Sequence, residues 1–183
     1  MGIFKYILSR RPTTTPISSV RRKIWFVGSL YNIKIEAGTR NSSKIEETMI
    51  CFTLKEMTRE NFEQYLASWY RRASRRVFQK SIDQWIIRME RMGYFVDPPL
   101  IKVFEMSRAW GRCYYTKGLI TLNAHLAKMP EQCIDYITLH ELCHFLINAH
   151  NADFYGIMTR IEPQWRQWEE DLKIAARAQG LSR

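Results

Sequence analysis

The stretch His140-Glu141-Leu142-Cys143-His144 decides how this sequence is interpreted, and His150 follows it closely. Residues four positions apart on a helix lie on one face, so the two outer histidines can direct ring nitrogens at one ion, about 2.0–2.1 Å away for zinc. Glu141 is rotated by about 100° from His140, where its carboxylate can hold a water molecule and accept its proton. The spacing therefore predicts a helix that carries a zinc site and a general base, as in metal-dependent hydrolases.

A catalytic zinc needs a third protein ligand and an open position for water. His150 is the first candidate, because Asn148 tolerates the left-handed conformation and can turn the chain back after the helix. Glu162, from a following helix, is the alternative. Zn²⁺ is the expected cofactor, one per chain, since three neutral imidazoles suit it, and the same donors also accept other divalent metals.

The segments around this motif predict helices next to a small β-sheet. Pro130 suits the first turn of the motif's helix, which is expected to run to about Asn148. Before it, residues 110–115 and 119–123 have the spacing of a hairpin. The strand at 119–123 could offer an edge to an extended peptide, or its apolar residues could simply pack in the core. Two shorter helices separated by Pro163 should complete the chain.

The rest of the sequence divides by pattern. Residues 1–22 are expected to form a flexible basic arm, and residues 23–183 a single domain. Within that domain, the pattern predicts a β meander at residues 23–57 and a long helix at residues 58–93, which is either continuous or broken near its far end. Residues 94–183 would then form the catalytic core.

The composition excludes several classes of protein. With 46% hydrophobic and 25% charged residues the chain resembles soluble globular proteins and not disordered or fibrous ones. The N-terminal sequence lacks the features of a secretory signal, and no apolar stretch approaches the length of a membrane span, so a cytoplasmic protein without a membrane partner is expected. The four cysteines have no Cys-x-x-Cys spacing, which argues against disulfides and thiolate zinc clusters.

The positive charge is concentrated in the first half of the chain. Residues 1–93 hold 18 Lys and Arg against 8 Asp and Glu, whereas residues 94–183 hold ten of each. Such asymmetry suits contact with phosphates, or a solvated face that maintains solubility. The candidate nucleic-acid contacts are the cluster Arg21-Arg22-Lys23 and the helical arginines Arg71, Arg72, Arg75 and Arg76.

Three motifs together resemble a known family. They are Arg108-Ala109-Trp110-Gly111-Arg112-Cys113, Gly118-Leu119-Ile120-Thr121-Leu122-Asn123, and the His140 to His144 stretch. The chain is similar, over about residues 24–173, to the YgjP-like metal-dependent hydrolases, often called metallopeptidases and distantly related to SprT-like proteases. The resemblance implies a zincin-like α+β fold. Arg112 stands where that family has Ser, and Tyr155 where a Trp is common.

These observations favour a zinc-dependent metallopeptidase that acts on a peptide or protein. Its candidate substrate or oxyanion contacts are Tyr155, Arg112, Tyr114 and Asn123. A second hypothesis keeps the metal and changes the substrate to a nucleotide phosphoanhydride or phosphoester. A third makes the basic half a nucleic-acid-binding module, alone or as part of a protease recruited to DNA.

Overall fold

The computed structural model describes residue 17 and residues 22–181, so the predicted arm at 1–22 lies almost wholly outside the described residues. The described part is α+β, as predicted. Its strands are β1 (Lys23–Phe26), β2 (Ser29–Ala37), β3 (Ser42–Ile45), β4 (Met49–Leu54), β5 (Leu100–Phe104), β6 (Gly111–Tyr114) and β7 (Leu119–Asn123). Its helices are α1 (Arg59–Arg91), α2 (Glu131–Cys143), α3 (Ala152–Ile161) and α4 (Trp165–Ala178), with 3₁₀ turns at Tyr115–Lys117 and Ala124–Lys128.

The first sheet has the strand order β1-β2-β4-β3, so the predicted meander is wrong. Strand β4 pairs in parallel with β2 and antiparallel with β3. The reason is visible in its side chains, because Ile50, Phe52 and Leu54 are all fully buried. A strand with such an apolar face belongs in the middle of the sheet, where it has neighbours on both sides.

The second sheet has the order β5-β7-β6, and its β6–β7 pair is the predicted hairpin. Strand β7 also pairs in parallel with β5, so both of its edges are occupied. The prediction that residues 119–123 offer an edge to a peptide is therefore wrong. Ile120 and Leu122 are fully buried, which supports the alternative that the strand packs in the core. The two sheets leave β1, β3, β5 and β6 as edge strands.

Helix α1 is one unbroken helix of 33 residues, so the suggested break does not occur. The Thr58 side chain caps its start by accepting from the Asn61 N–H at 3.2 Å. Its buried side chains recur at helical spacing from Phe62 to Met89, which gives no point at which the helix should stop. The helix packs against the first sheet at one end, where Phe62 meets Phe52 edge-on at 5.5 Å, and against α2 further along.

Helix α2 ends at Cys143, five residues before the predicted end at Asn148. Tight bonds close its last turn, from the Phe145 N–H to the Leu142 carbonyl and from the Leu146 N–H to the Cys143 carbonyl, each at 3.0 Å. Such bonds satisfy the free carbonyls at a helix end, and the chain then turns back on itself. Pro163 separates α3 from α4, as predicted.

All four cysteines are unpaired. Among residue 17 and residues 22–181, no helix has the length and apolar character needed to cross a bilayer.

Candidate active site

Three histidines converge where α2 ends. His140 lies in the last turn of α2, His144 caps the helix, and the following turn brings His150 back over them. One ring nitrogen from each lies within 4.8 Å of the others, and the Nε2 atoms of His140 and His150 are 2.9 Å apart. Imidazole nitrogens are preferred zinc donors, and a set of three leaves a coordination position for water or substrate. The donor set therefore fits a single zinc ion.

The side chain of Phe154 packs against all three histidine rings. Its centroid is 5.1 Å from that of His140, 4.7 Å from that of His144 and 4.9 Å from that of His150. Phe154 is fully buried in the first turn of α3, where its N–H donates to the capping side chain of Asn151 at 3.0 Å. One buried aromatic ring thus contacts all three imidazoles.

The ring nitrogens are also oriented by charge and hydrogen bonding. Nδ1 of His144 is 3.2 Å from the Ile147 carbonyl, so it carries the proton and donates, which leaves Nε2 free. Burial lowers the pKa of His140 to about 3, and the neighbouring His144 and His150 act in the same direction. Burial also lowers the pKa of His144. Both rings are thus held neutral, which is the form that binds metals.

Glu141 lies between α2 and β6 and is only 5% exposed. Burial raises the pKa of this carboxyl to about 8, while the backbone N–H of Cys113 and the positive charge of Arg112 act in the opposite direction. The carboxyl packs directly on Gly111. A Cβ added there would lie 2.7 Å from Cγ and 2.8 Å from Cδ of Glu141. Glycine is therefore required at this point of the strand.

Neither Gly111 nor Cys113 was assigned a role in the site from the sequence alone. A signal for Gly111 was present, because a glycine inside a strand often marks the close approach of another group. The backbone donor of Cys113 left no signal, since a main-chain N–H does not depend on the type of side chain.

A stack of aromatic side chains lies beside two of the histidines. Tyr155 stacks on His150 at 6.2 Å and on Trp165 at 5.4 Å, and Trp165 stacks on Tyr136 at 6.2 Å. Tyr136 in turn meets the edge of His140 at 6.1 Å. The stack therefore connects two of the three histidines through residues of α2, α3 and α4. The sequence offered one signal for it, the spacing of four residues between Tyr136 and His140.

The predicted substrate contacts do not all reach the histidines. Tyr155 lies beside His150, as described above. Arg112 and Tyr114 alternate along β6 with Gly111 and Cys113, so they lie on the strand face away from Glu141, and both are exposed. Lys117 lies 5.9 Å above the Tyr114 ring.

Two of the sequence predictions need correction. Asn123 is fully buried, and its amide nitrogen donates to the carbonyls of Met106 and Ala109 at 2.7 and 2.8 Å, so it shapes the loop before β6 and does not face a cleft. Glu162, the alternative third ligand, instead forms an ion pair with Arg88 at 2.8 Å and accepts from the Gln164 N–H. Its carboxylate is already used to join α1 to the end of α3.

The predicted nucleic-acid contacts form a separate group. Arg71, Arg72, Arg75 and Arg76 are exposed on α1, where they border β5 and the first sheet. Of the cluster at 21–23, Arg21 lies outside the described residues.

Comparisons with known proteins identify a family and several similar proteins. The family model described as YgjP-like, metallopeptidase domain, matches residues 7–175. UTP pyrophosphatase of Escherichia coli (strain K12) is 32% identical over 69 residues, which are 38% of this chain and 41% of that protein. The chain thus spans about two fifths of the length of this curated relative.

Two solved structures of metallopeptidase zymogens are also similar. Abylysin of Pyrococcus abyssi superposes with a TM-score of 0.45 and 19% identity, over 51% of this chain and 92% of that chain. Jannalysin of Methanocaldococcus jannaschii superposes with a TM-score of 0.44 and 18% identity, over 52% of this chain and 86% of that chain.

Proposed function

The chain belongs to the YgjP-like metallopeptidase family and is a metal-dependent hydrolase, and from this premise we propose that it is a zinc peptidase. His140, His144 and His150 would hold the ion, and Glu141 would act as general base. The observation that carries the proposal is the cluster of three imidazole nitrogens within 4.8 Å, next to the buried Glu141 carboxyl on the helix that also carries His140.

The chain's own residues supply the proton transfers. A zinc ion held by the three histidines would supply Lewis-acid polarisation of the scissile carbonyl and would acidify a water molecule. Glu141 accepts the proton of the attacking water and passes it to the leaving amine. The Cys113 N–H and the surface of Gly111 hold the carboxyl in place for both transfers. Tyr155, beside His150, is the candidate for hydrogen bonding to the oxyanion.

The substrate cleft follows from the position of β6. This edge strand borders Glu141, so an extended peptide can add to it by main-chain hydrogen bonds. The exposed side chains of Arg112 and Tyr114 then lie where they can contact the side chains of the peptide. We therefore propose an extended peptide or an unfolded protein segment as the substrate.

The decisive experiment measures metal content and activity in the same preparations. We expect about one zinc per wild-type chain, and loss of the metal in His140→Ala, His144→Ala and His150→Ala. Glu141→Gln should retain zinc and lose about 10²–10⁴-fold in peptide hydrolysis, because only the proton acceptor is removed. Unaltered zinc in His150→Ala would rule out the three-histidine site. Full activity in Glu141→Gln would rule out the general base.

A second candidate function is hydrolysis of a nucleotide phosphoanhydride by the same centre. It is favoured by the 32% identity over 69 residues with UTP pyrophosphatase of Escherichia coli. The test is release of pyrophosphate from UTP by zinc-loaded wild type and by Glu141→Gln, beside a peptide library. Turnover of UTP without turnover of any peptide, lost in Glu141→Gln, would replace the peptidase proposal by this one.

A further inference from the structure

An arginine ridge runs along the exposed side of α1, formed by Arg71, Arg72, Arg75 and Arg76. The Arg72 guanidinium contacts Ser68 and lies 5.4 Å above the Tyr65 ring. Among the residues that the structure describes, no carboxylate lies within ion-pair distance of any of the four. Like charges one helical turn apart destabilise a helix, so the ridge costs stability in the absence of an anion.

A groove separates the ridge from β5. Its cavity of about 400 Å³ is lined by Arg71, Arg72 and Arg75 on one wall and by Lys102 and Phe104 on the other. Strand β5 is an edge strand, and the Phe104 side chain is 54% exposed. The groove thus combines four cations with an open aromatic ring.

A second groove lies on the other side of the ridge. Its cavity of about 690 Å³ is lined by Arg72 and Arg76 from α1 and by Arg40 from the loop before β3. Asn41, Ser42 and Ser43 add polar side chains along the same wall. Because Arg72 lines both cavities, the positive surface is continuous across the ridge.

The side chains of the two grooves favour a ligand with several phosphates and unstacked bases. A row of guanidinium groups spaced by a helical turn, about 5.4 Å, suits successive phosphates better than one small anion. Guanidinium groups together with an exposed aromatic ring suit a strand whose bases are free to stack. In a duplex the bases are already stacked, which would leave Phe104 without a partner.

We propose that the arginine ridge and its two grooves bind single-stranded nucleic acid, with phosphates on Arg71, Arg75 and Lys102 and a base on Phe104. This site is separate from the histidine cluster. Its occupation does not depend on the proton transfers of Glu141, so the failure of either proposal leaves the other intact.

The test uses the full chain and labelled oligouridylate and oligothymidylate of about 12 nucleotides, within the range of known single-strand sites. Fluorescence anisotropy is recorded between about 50 and 200 mM salt. We expect Arg71→Gln/Arg75→Gln to lose affinity on the order of tenfold, and the slope of log affinity against log salt to fall by about 1.4, because two phosphate contacts are lost. Glu141→Gln should bind like the wild type.

Two matched controls distinguish the loss of this site from the loss of any two arginines or of any exposed aromatic ring. Arg91→Gln/Arg177→Gln removes two exposed arginines outside both grooves, with Arg91 about 24 Å along the helix from Arg75, and should retain wild-type affinity. Phe104→Ala should weaken binding several-fold without changing the salt slope, while Phe95→Ala, which removes a ring that is 74% exposed, should not.

Four outcomes would overturn the proposal. They are no binding at the lowest salt, equal losses in the charge control, duplex bound as tightly as single strands, and UTP competing as strongly per molecule as the oligonucleotide. The last result would assign the ridge to free nucleotides. Thermal unfolding of every variant verifies that the losses do not come from unfolded protein.

Discussion

The environment of Glu141 depends closely on its neighbour Gly111. A buried carboxyl is costly unless it is hydrogen-bonded, and here it receives a backbone N–H from β6 and packs on Gly111. The absence of a side chain at 111 allows the strand to come close enough for that hydrogen bond. The position of the proposed general base is therefore determined both by the glycine and by α2.

Replacing Gly111 by alanine should displace the Glu141 carboxyl, because the added Cβ overlaps Cγ and Cδ. We expect a loss of about 1–3 kcal/mol in the free energy of unfolding and on the order of 100-fold in peptide hydrolysis, with zinc content unchanged. Chemical denaturation, metal analysis and kinetics measure the three quantities. Gly156→Ala is the control, since no atom lies within 4 Å of its added Cβ in α3, and it should gain about 0.4–1 kcal/mol. Wild-type kinetics in Gly111→Ala would contradict this account.

Individual residues differ in how far the sequence alone could identify them. The spacing of His140, Glu141 and His144 is sufficient to predict that they share one helix. The structure brings the two histidines together with His150. The role of Phe154 could not be predicted, because it depends on how α3 packs against the end of α2. Asn123 was misassigned for the same reason, since only the tertiary structure shows its amide satisfied by two carbonyls.

Among the elements, α1 and α2 share a group of polar contacts around Ser81 and Asp135. The Ser81 hydroxyl donates to the Asp135 carboxyl at 2.5 Å and lies 2.6 Å from the Thr138 hydroxyl, while the Trp85 indole N–H donates to the Asp135 carbonyl at 3.0 Å. These bonds set the register between the long helix and the helix that carries the histidines. Burial raises the pKa of Asp135 and outweighs the opposing effects of the Ser81 hydrogen bond and of Lys80.

Asp135→Asn should become progressively more stable than the wild type as pH rises. A carboxyl whose pKa is higher in the folded state contributes stability that is complete below its unfolded pKa, ordinarily 3.8, and lost as pH rises through the folded pKa. Asparagine retains an oxygen to accept from Ser81 but cannot ionise. Urea unfolding at several pH values from about 3 upward should show the divergence.

A second variant tests the cause of that divergence. Ser81→Ala removes the hydrogen bond that lowers the pKa of Asp135, so its stability should decline with pH over a wider interval than that of the wild type. Parallel stability curves for Asp135→Asn and the wild type would show that Asp135 does not contribute to the pH dependence.

The sequence predicted the elements better than their arrangement. Helical periodicity and the turn before Leu119 locate α1 and the β6–β7 hairpin, because both are local patterns. The insertion of β4 between β2 and β3 is not local, since it depends on which strand has two neighbours to pair with. The end of α2 was misplaced because its last turn is set by the chain returning to place His150.

For the molecule as a whole, the turn between β1 and β2 joins the first sheet directly to residues 127–128. In the turn between β1 and β2, the N–H of Val27 donates to the Ala127 carbonyl at 2.8 Å and that of Gly28 to the Lys128 carbonyl at 3.3 Å. The Tyr70 hydroxyl of α1 donates to the Trp25 carbonyl at 2.6 Å. We infer that residues 23–183 fold as a single domain, in which this turn is one of the contacts between the first sheet and the later residues.

Gly28→Ala should weaken the contact between this turn and residues 127–130. Its φ of +72° disfavours a side chain, and an added Cβ would lie 2.9 Å from the Pro130 Cα at the start of α2. The left-handed conformation alone costs about 1–2 kcal/mol, which Gly180→Ala, at φ +67° with no atom within 4 Å, should show by itself. We expect Gly28→Ala to lose more than Gly180→Ala in urea unfolding, in one transition if there is one domain. Equal losses would show that the contact with Pro130 is unimportant.

Each of the four edge strands carries a basic residue. Lys23 lies on β1, Lys44 on β3, Lys102 on β5 and Arg112 on β6. Of the central strands, β4 and β7 carry no charged residue, and β2 carries Lys34 paired with Glu36 at 2.6 Å. Two molecules that approached edge to edge would bring like charges together, which opposes the growth of a shared sheet. The protein can therefore expose unpaired backbone next to its candidate active site and still resist aggregation, and this resistance should weaken as added salt screens the repulsion.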